Sequence, residues 1–420
     1  MASGERYECI IIGGGPAGST AGTLLAQYGH RVLLLEKERF PRHHIGESLM
    51  PQTYFTFQRL GFLEKLKASD FTPKESVQFI SASGKESQPF YFTDRDPNEW
   101  SVTWQVERDR FDRMMLEHAR ESGVEVVEGA LVKRVLFDGS KADGVEFLQN
   151  GELRQVAADV VIDASGQSAL LSRQLGLRYG DDRLKNAAIY AYYRGVERGL
   201  GRNAGATLVV HTPDKSGWFW LIPLPNDVTS VGLVSPPHLI ITGRGSDPLA
   251  TLEAEIARCT SLTARFQRAT RITGSYVTRD FSYRSRRLAG DGWVLIGDAF
   301  GFLDPIYSSG VLLALKSGEW AADAVHEALH SRNVSGELLG RFGPRFVSGM
   351  QRIRQLVYAF YDPNFSFAAF IRRYPQYHDD VVRVLIGDVF GQGLSEMFEV
   401  MSEIVKLPEP LALDGGACVV

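Results

Sequence analysis

Apolar and polar positions along this chain follow two rhythms. The opening stretch YECIIIGGGPAGSTAGTLLAQYGHRVLLLEKE holds an apolar run, a glycine turn, a helix-length segment of small and apolar residues, and a second apolar run. Each run is short, bounded by charge or glycine, and reads as a buried strand. The order strand, turn, helix, strand predicts a βαβ unit on a parallel sheet. A helix-like stretch follows to about Lys67. VERDRFDRMMLEHARESGVEVVEG predicts a helix feeding a strand, and ADVVIDASGQSALLSRQLGL a strand entering a turn of small residues. GDGWVLIGDAFGFLDPIYSSGVLLALKSGEWAADAV predicts a strand, a loop and a long helix.

Between these segments the rhythm changes. AAIYAYYRGV, ATLVVHT, GWFWLIPL and VTSVGLVS are short β-like runs separated by turns. They predict a mostly antiparallel sheet over 181–275, joined by 76–104 and inserted into the nucleotide fold. The fold class is therefore α/β, with a discontinuous first domain over 1–75, 105–180 and 276–340. Beyond it, Phe342, Phe346, Met350, Ile353, Val357 and Phe360 recur at spacings of three and four, one face of a helix packed on the core. Residues 341–420 are expected to form a helical C-terminal region, ending in a loose tail after Leu407.

Bulk properties narrow the class. A chain of 420 residues that is 44% hydrophobic can bury a substantial core. A formal net charge of −4 gives no electrostatic reason to expect nucleic acid or an anionic membrane as partner. Cys9, Cys259 and Cys418 are too far apart in sequence for a disulfide framework or a metal cluster, and a reducing cytoplasm is the simplest setting. The opening apolar run stops at glycine, so it reads as a strand rather than a signal peptide. No run of 18 apolar residues is present, so no membrane span is expected.

Gly13, Gly15 and Gly18 make the pattern G-x-G-x-x-G, and Glu36 closes the second strand. Standing between a strand and a helix, with an acid at the right distance, the pattern predicts a dinucleotide pyrophosphate at the helix N-terminus. Glu36 can accept from a ribose hydroxyl. In WFWLIP, alternation puts Trp218 and Trp220 on one face of a strand. Those two indoles either brace the sheet core or wall off part of an active site.

Three distant segments combine with these. The early glycines, DASG at 163–166 and GDA at 297–299 occur in the order seen in FAD-dependent oxidoreductases of the glutathione-reductase class. W-x-W-x-I-P at Trp218, Trp220, Ile222 and Pro223, and F-x-x-P-x-x-S-x-G at Phe302, Pro305, Ser308 and Gly310, resemble the motifs of flavin-dependent halogenases. GES at 46–48 fits as well. The resemblance covers nearly the whole chain and is nearer to enzymes acting on phenols, pyrroles and carrier-bound aromatics than to tryptophan halogenases, whose DP-x-E-S-T-G glutamate is replaced here by Tyr307.

The resemblance implies a FADH2- and O2-dependent halogenase. A flavin C4a-hydroperoxide oxidises chloride or bromide to hypohalous acid, which Lys74 of FTPKESVQF delivers to an electron-rich ring. FAD is expected on Gly13, Gly15, Ala17, Gly18, Glu36, Arg42, Glu47, Ser48, Arg108, Asp298 and Gly310, with Arg110 as a second candidate for the arginine beside the flavin. Halide is expected at Ser308, Ser309 and Gly310, where a helix start offers N–H groups and a favourable dipole. Trp218 and Trp220 would stand between flavin and substrate. Only one dinucleotide fingerprint is present, so a separate flavin reductase is the expected partner, beside a small aromatic substrate, free or on an acyl carrier protein. An aromatic monooxygenase or a geranylgeranyl-reductase-like saturase shares parts of this pattern, as would a flavoprotein that only binds or senses. Halide-dependent product mass separates them.

Overall fold

The computed structural model describes residues 6–241, 247–279 and 282–414. Its first sheet is built around the strand Arg6–Ile12, which pairs in parallel with Val32–Glu36 on one side and Glu152–Asp163 on the other. Trp293–Leu295 and Glu125–Glu128 extend the parallel sheet outward. The central strands are buried nearly end to end, as a sheet covered on both faces requires. The helix Pro16–Gln27 follows the glycine turn, with proline at its start.

The register brings the sequence motifs together. Ile12 lies opposite Asp163, and Asp163 opposite Leu295. The glycine turn, DASG and GDA therefore emerge side by side at the carboxyl ends of three adjacent strands, where open α/β sheets bind their ligands. Asp163 is structural: its carboxylate accepts from the N–H groups of Ser165 at 2.9 Å and Leu171 at 2.8 Å, fixing the turn.

The second sheet is mostly antiparallel. Its central strands are Ala187–Arg194, Val228–Ser235, Trp218–Pro223 and Thr207–His211, with Ser76–Ile80 added in parallel beside Thr207–His211. Tyr276–Arg279 also pairs with Ala187–Arg194, so this sheet continues past residue 275. Alternation divides its two faces. Trp218, Trp220 and Ile222 join the core shared with the nucleotide domain, while Phe219 and Leu221 join a separate cluster reached by Leu252 and Ile256 of the helix Pro248–Arg258.

The helices Gly310–His330 and Gly343–Tyr361 complete the site's frame. Two expectations change. The stretch before Lys67 is two helices, Thr53–Leu60 and Leu63–Lys67, broken where Gly61 turns left-handed at φ 72°. The tail is docked as far as Asp414: Leu411 is buried, the Pro408 carbonyl accepts from Gln351, and the Ala412 carbonyl accepts from Arg284. Apolar anchors and chain carbonyls hold it despite its proline and glycine content. Among the described residues no helix is long and apolar enough to cross a membrane.

Candidate active site

The nucleotide end is built from backbone. Gly13 adopts φ +105°, and a Cβ there would sit 2.5 Å from the Ala164 carbonyl oxygen, so only glycine fits. Glu36 accepts from the N–H groups of Gly14 at 2.7 Å and Glu38 at 2.9 Å, which holds the turn against the second strand. The first turn of the following helix carries no acidic residue and no side-chain cap. The N–H groups of Gly15, Ala17 and Gly18 have no hydrogen-bond partner among the described residues. Unsatisfied donors at a positive dipole end fit a pyrophosphate.

A strap, residues 40–48, runs from this turn toward the inserted sheet. Arg108 anchors it: the guanidinium grips Asp112 with two bonds of 2.7 and 2.8 Å and donates to the Ile45 carbonyl at 2.7 Å. Arg42 lies 3.1 Å from the same Asp112. These cations hold Asp112 below the usual carboxylate range although burial pushes the other way. Burial pushes Asp298, of the GDA turn, up to about 7, with Arg108 pulling it back. Arg110 instead faces outward, paired with Asp70 and Glu107, and does not reach this site.

Glu47 and Ser48, adjacent on the strap, serve different neighbours. Burial pushes the Glu47 carboxyl up to about 7, against hydrogen bonds from Ser230 and Tyr192. The indole N–H of Trp220 donates to the same Ser230 hydroxyl at 3.1 Å. The indole N–H of Trp218 donates to the Tyr361 hydroxyl at 2.8 Å. Both rings are buried, their centroids 6.1 Å apart and their planes tilted by 54°. Across the sheet, Gly232 leaves room for Trp220: a Cβ there would sit 2.1 Å from the ring. Gly232→Ala is therefore expected to displace the indole and cost about 1–3 kcal/mol of stability. Thermal unfolding and a tryptophan emission shift check it, and an unshifted emission at full stability would count against this packing.

Ser48 meets Lys74 at the end of the short strand Thr72–Lys74. Lys74 is buried, and its Nζ donates to Ser48 Oγ at 2.8 Å and to the Leu49 carbonyl at 2.9 Å. The Phe92 ring lies 5.5 Å away. No carboxylate among the described residues pairs with it, and burial alone pulls its pKa from 10.5 down to about 7. An ammonium has three donors, so one remains after the two bonds seen.

The loop after GDA ends in an open turn. Asp304 caps the short helix Pro305–Tyr307 by accepting from the Ile306 N–H at 3.0 Å. Ser308 is left-handed at φ 58°, and Ser309 begins the helix Gly310–His330 without a side-chain cap. The N–H groups of Ser309 and Gly310 have no partner among the described residues. Ser309 is buried, so its N–H is shielded from bulk water. Leu312, in the first turn of that helix, packs at Gly387 with Met50, whose neighbour Leu49 accepts from Lys74. Lysine and turn thus belong to one packed unit.

Comparison with known proteins gives this geometry its chemistry. The chain matches the tryptophan halogenase family over residues 8–94 and 90–367. A 1H-pyrrole-2-carbonyl-[peptidyl-carrier protein] brominase of Pseudoalteromonas luteoviolacea is 35% identical over 93% of this chain and 94% of its own. A 1H-pyrrole-2-carbonyl-[peptidyl-carrier protein] chlorinase of Pseudomonas fluorescens is 31% identical over 97% and 95%. This chain belongs to the flavin-dependent halogenases. In structure it is similar to the flavin-dependent brominase Bmp2, with a TM-score of 0.85 and 33% identity over 95% of this chain and 98% of that one. The myxobacterial chondrochloren halogenase CndH gives 0.80 and 31%, over 97% and 100%.

This halogenase is thus an FADH2- and O2-dependent oxidoreductase that uses halide. Bound reduced FAD supplies the oxygen activation and halide oxidation. The donors at the glycine turn, the basic strap and Asp298 all fit that cofactor. Three participants carried no sequence signal. Asp304 lies inside FLDPIYSSG but outside its motif positions, Tyr361 lies on a packing helix, and Ser230 is one small residue in a strand. Tyr307 donates to the Leu356 carbonyl at 3.1 Å, so its hydroxyl is engaged in packing.

Proposed function

We propose that this halogenase chlorinates or brominates an electron-rich pyrrole presented on a carrier protein, with reduced FAD supplied by a separate flavin reductase. Lys74 carries the reading: it is buried with no carboxylate partner among the described residues, a costly placement of the kind that clusters at functional sites. Its ammonium donates the unused hydrogen bond to the oxygen of hypohalous acid. The halogen passes to a ring carbon, and the hydroxide left behind takes the Lys74 proton and leaves as water. The neutral amine, accessible at a pKa near 7, then accepts the ring proton. Trp218 and Trp220 stand as a wall that keeps substrate off the flavin, so oxygen is not transferred directly. Ser308, Ser309 and Gly310 hold the halide.

Substrate class rests on two supports. The pyrrolyl-carrier brominase and chlorinase are similar over almost the whole chain. Tyr307 stands where the tryptophan enzymes have a glutamate, and a pyrrole stabilises the cationic intermediate with its own nitrogen. Mass spectrometry of carrier-bound pyrrole, free pyrrole and phenol, with a flavin reductase and either halide, tests it. Carrier-bound pyrrole is expected to gain the halogen mass. Halogenation of free phenol alone would replace the proposed substrate.

The reductase follows from the single dinucleotide fingerprint. The purified protein is expected to leave NADPH unoxidised even with substrate present. Rapid, substrate-stimulated NADPH oxidation by the protein alone would remove the reductase from the scheme.

A further inference from the structure

The two indoles of the wall end on different hydroxyl groups. Trp220 donates to Ser230, which helps hold down the pKa of Glu47 in the strap. Trp218 reaches Asp304 through Tyr361. The second connection crosses three elements: the inserted sheet, the last residue of the helix Gly343–Tyr361, and the turn proposed to hold halide.

The direction of the Trp218 chain is forced. An indole N–H can only donate, so the Tyr361 oxygen accepts at 2.8 Å. The single Tyr361 proton then goes to Asp304, 3.0 Å from Oδ2 and 3.3 Å from Oδ1. Asp304 Oδ1 also accepts from the Ile306 N–H, two residues before the left-handed Ser308. Asp304 is 1% exposed and Trp218 2%, so water does not compete for these bonds. Burial raises the Asp304 pKa to about 7, with the Ile306 N–H, Tyr361 and Asn186 pulling it back. Any shift of the turn must therefore break a bond to Tyr361 or carry Trp218 with it.

We propose that Asp304 and Tyr361 are positioning residues that hold the Trp218 side of the wall in register with the halide turn. The proposal rests on the reading of Ser308, Ser309 and Gly310 as the halide site and of the tryptophans as the wall. It gives one buried carboxyl two tasks: shaping the turn where hypohalous acid starts, and fixing the ring beside which it travels. Neither residue touches substrate or flavin in this scheme. Loosening the chain lets the oxidant escape, and the turn loses part of its halide geometry.

The test compares Tyr361→Phe, Asp304→Asn and the double variant with the wild type as FAD holoenzymes. Bromide quenching of tryptophan fluorescence, with Trp218→Phe identifying the signal of that ring, reads the halide turn without any organic substrate. Each single variant is expected to raise the half-saturating bromide about fivefold, the size of one lost hydrogen bond. Halogenated product per flavin oxidised should fall by a similar factor. The double variant should be no worse than Asp304→Asn alone, because the Tyr361 hydroxyl acts on the turn only through that carboxyl. Flavin affinity should stay at the wild-type value, which a general loss of fold would not allow. Unchanged quenching and coupling in Tyr361→Phe, or strictly multiplicative effects in the double variant, would overturn the proposal. A wild type that fails on carrier-bound pyrrole but still shows saturable bromide quenching, weakened in Tyr361→Phe, would overturn the substrate reading and support this one.

Discussion

Replacing Lys74 with methionine is expected to end halogenation and to raise the thermal midpoint by several degrees. The two effects have one source. Lys74 is buried without a counter-charge among the described residues, and desolvation lowers its pKa from 10.5 to about 7. Every tenfold loss of proton affinity on folding corresponds to about 1.36 kcal/mol. A folded pKa below the unfolded one means that the unfolded chain binds the proton more tightly. The cost, roughly 5 kcal/mol, is present in full below pH 7, shrinks as pH rises from 7, and is gone above 10.5. Methionine fills a similar volume and removes the cost, but leaves Ser48 and the Leu49 carbonyl without their donor, which returns about 1–3 kcal/mol. The net gain is about 3 kcal/mol, a few degrees in a chain of this size. Calorimetry at about pH 6 and about pH 9 reads it, and the advantage of Lys74→Met must be larger at the lower pH. Flavin oxidation should continue in the variant while halogenated product disappears. Retained halogenation would leave Lys74 without a catalytic role, and a variant less stable than wild type at both pH values would refute the burial argument.

The contrast between what the sequence revealed and what it hid is physical. The glycine turn, DASG and GDA were legible because their chemistry is in the backbone: φ +105° at Gly13 leaves no choice of residue. The shared face of the two indoles was legible because alternation fixes the faces of a strand, and Trp218 and Trp220 do lie in the core opposite Phe219. Lys74 stood out only through family resemblance, since its burial depends on Ser48 and Phe92, brought close by the fold. Tyr361 could not be found. Its helix shows only a packing period, and its hydroxyl meets Trp218 from 143 positions away in sequence. Arg108 and Arg110 look alike in RDRF, yet one turns into the strap and the other out to Asp70 and Glu107. Two residues apart on a helix point in different directions, and the sequence alone does not say which faces in.

Gly310→Pro is expected to weaken halide binding by roughly 10- to 100-fold, while Gly310→Ala weakens it far less. Proline at the first position of a helix is normally tolerated, because the N–H it removes has no partner inside the helix. That is why the substitution is informative here: it deletes one of the two N–H donors, Ser309 and Gly310, that have no partner among the described residues, with little demand on the helix itself. A hydrogen bond to a charged group contributes about 1.5–3 kcal/mol, which sets the expected factor. Two side effects need a control. A Cβ at Gly310 would lie 3.1 Å from Phe302 Cε2, and Ser309, at ψ −13°, is in a conformation disfavoured before proline. Alanine introduces the first without removing the N–H, so the ratio between the two variants isolates the donor together with the strain at Ser309. Bromide anomalous scattering from a wild-type crystal separates those two, because a halide held by the donors must sit within hydrogen-bonding reach of both N–H groups. FAD affinity is measured in both variants as well, because Gly310 is itself a candidate contact of the cofactor and the helix it opens packs on Ala17 through Gly318; a loss of halide affinity larger than any loss of FAD affinity assigns the effect to the halide. Equal halide affinity in alanine and proline variants, together with no bromide beside the turn, would move the halide site elsewhere in the protein and leave Ser308 to Gly310 as an ordinary helix start.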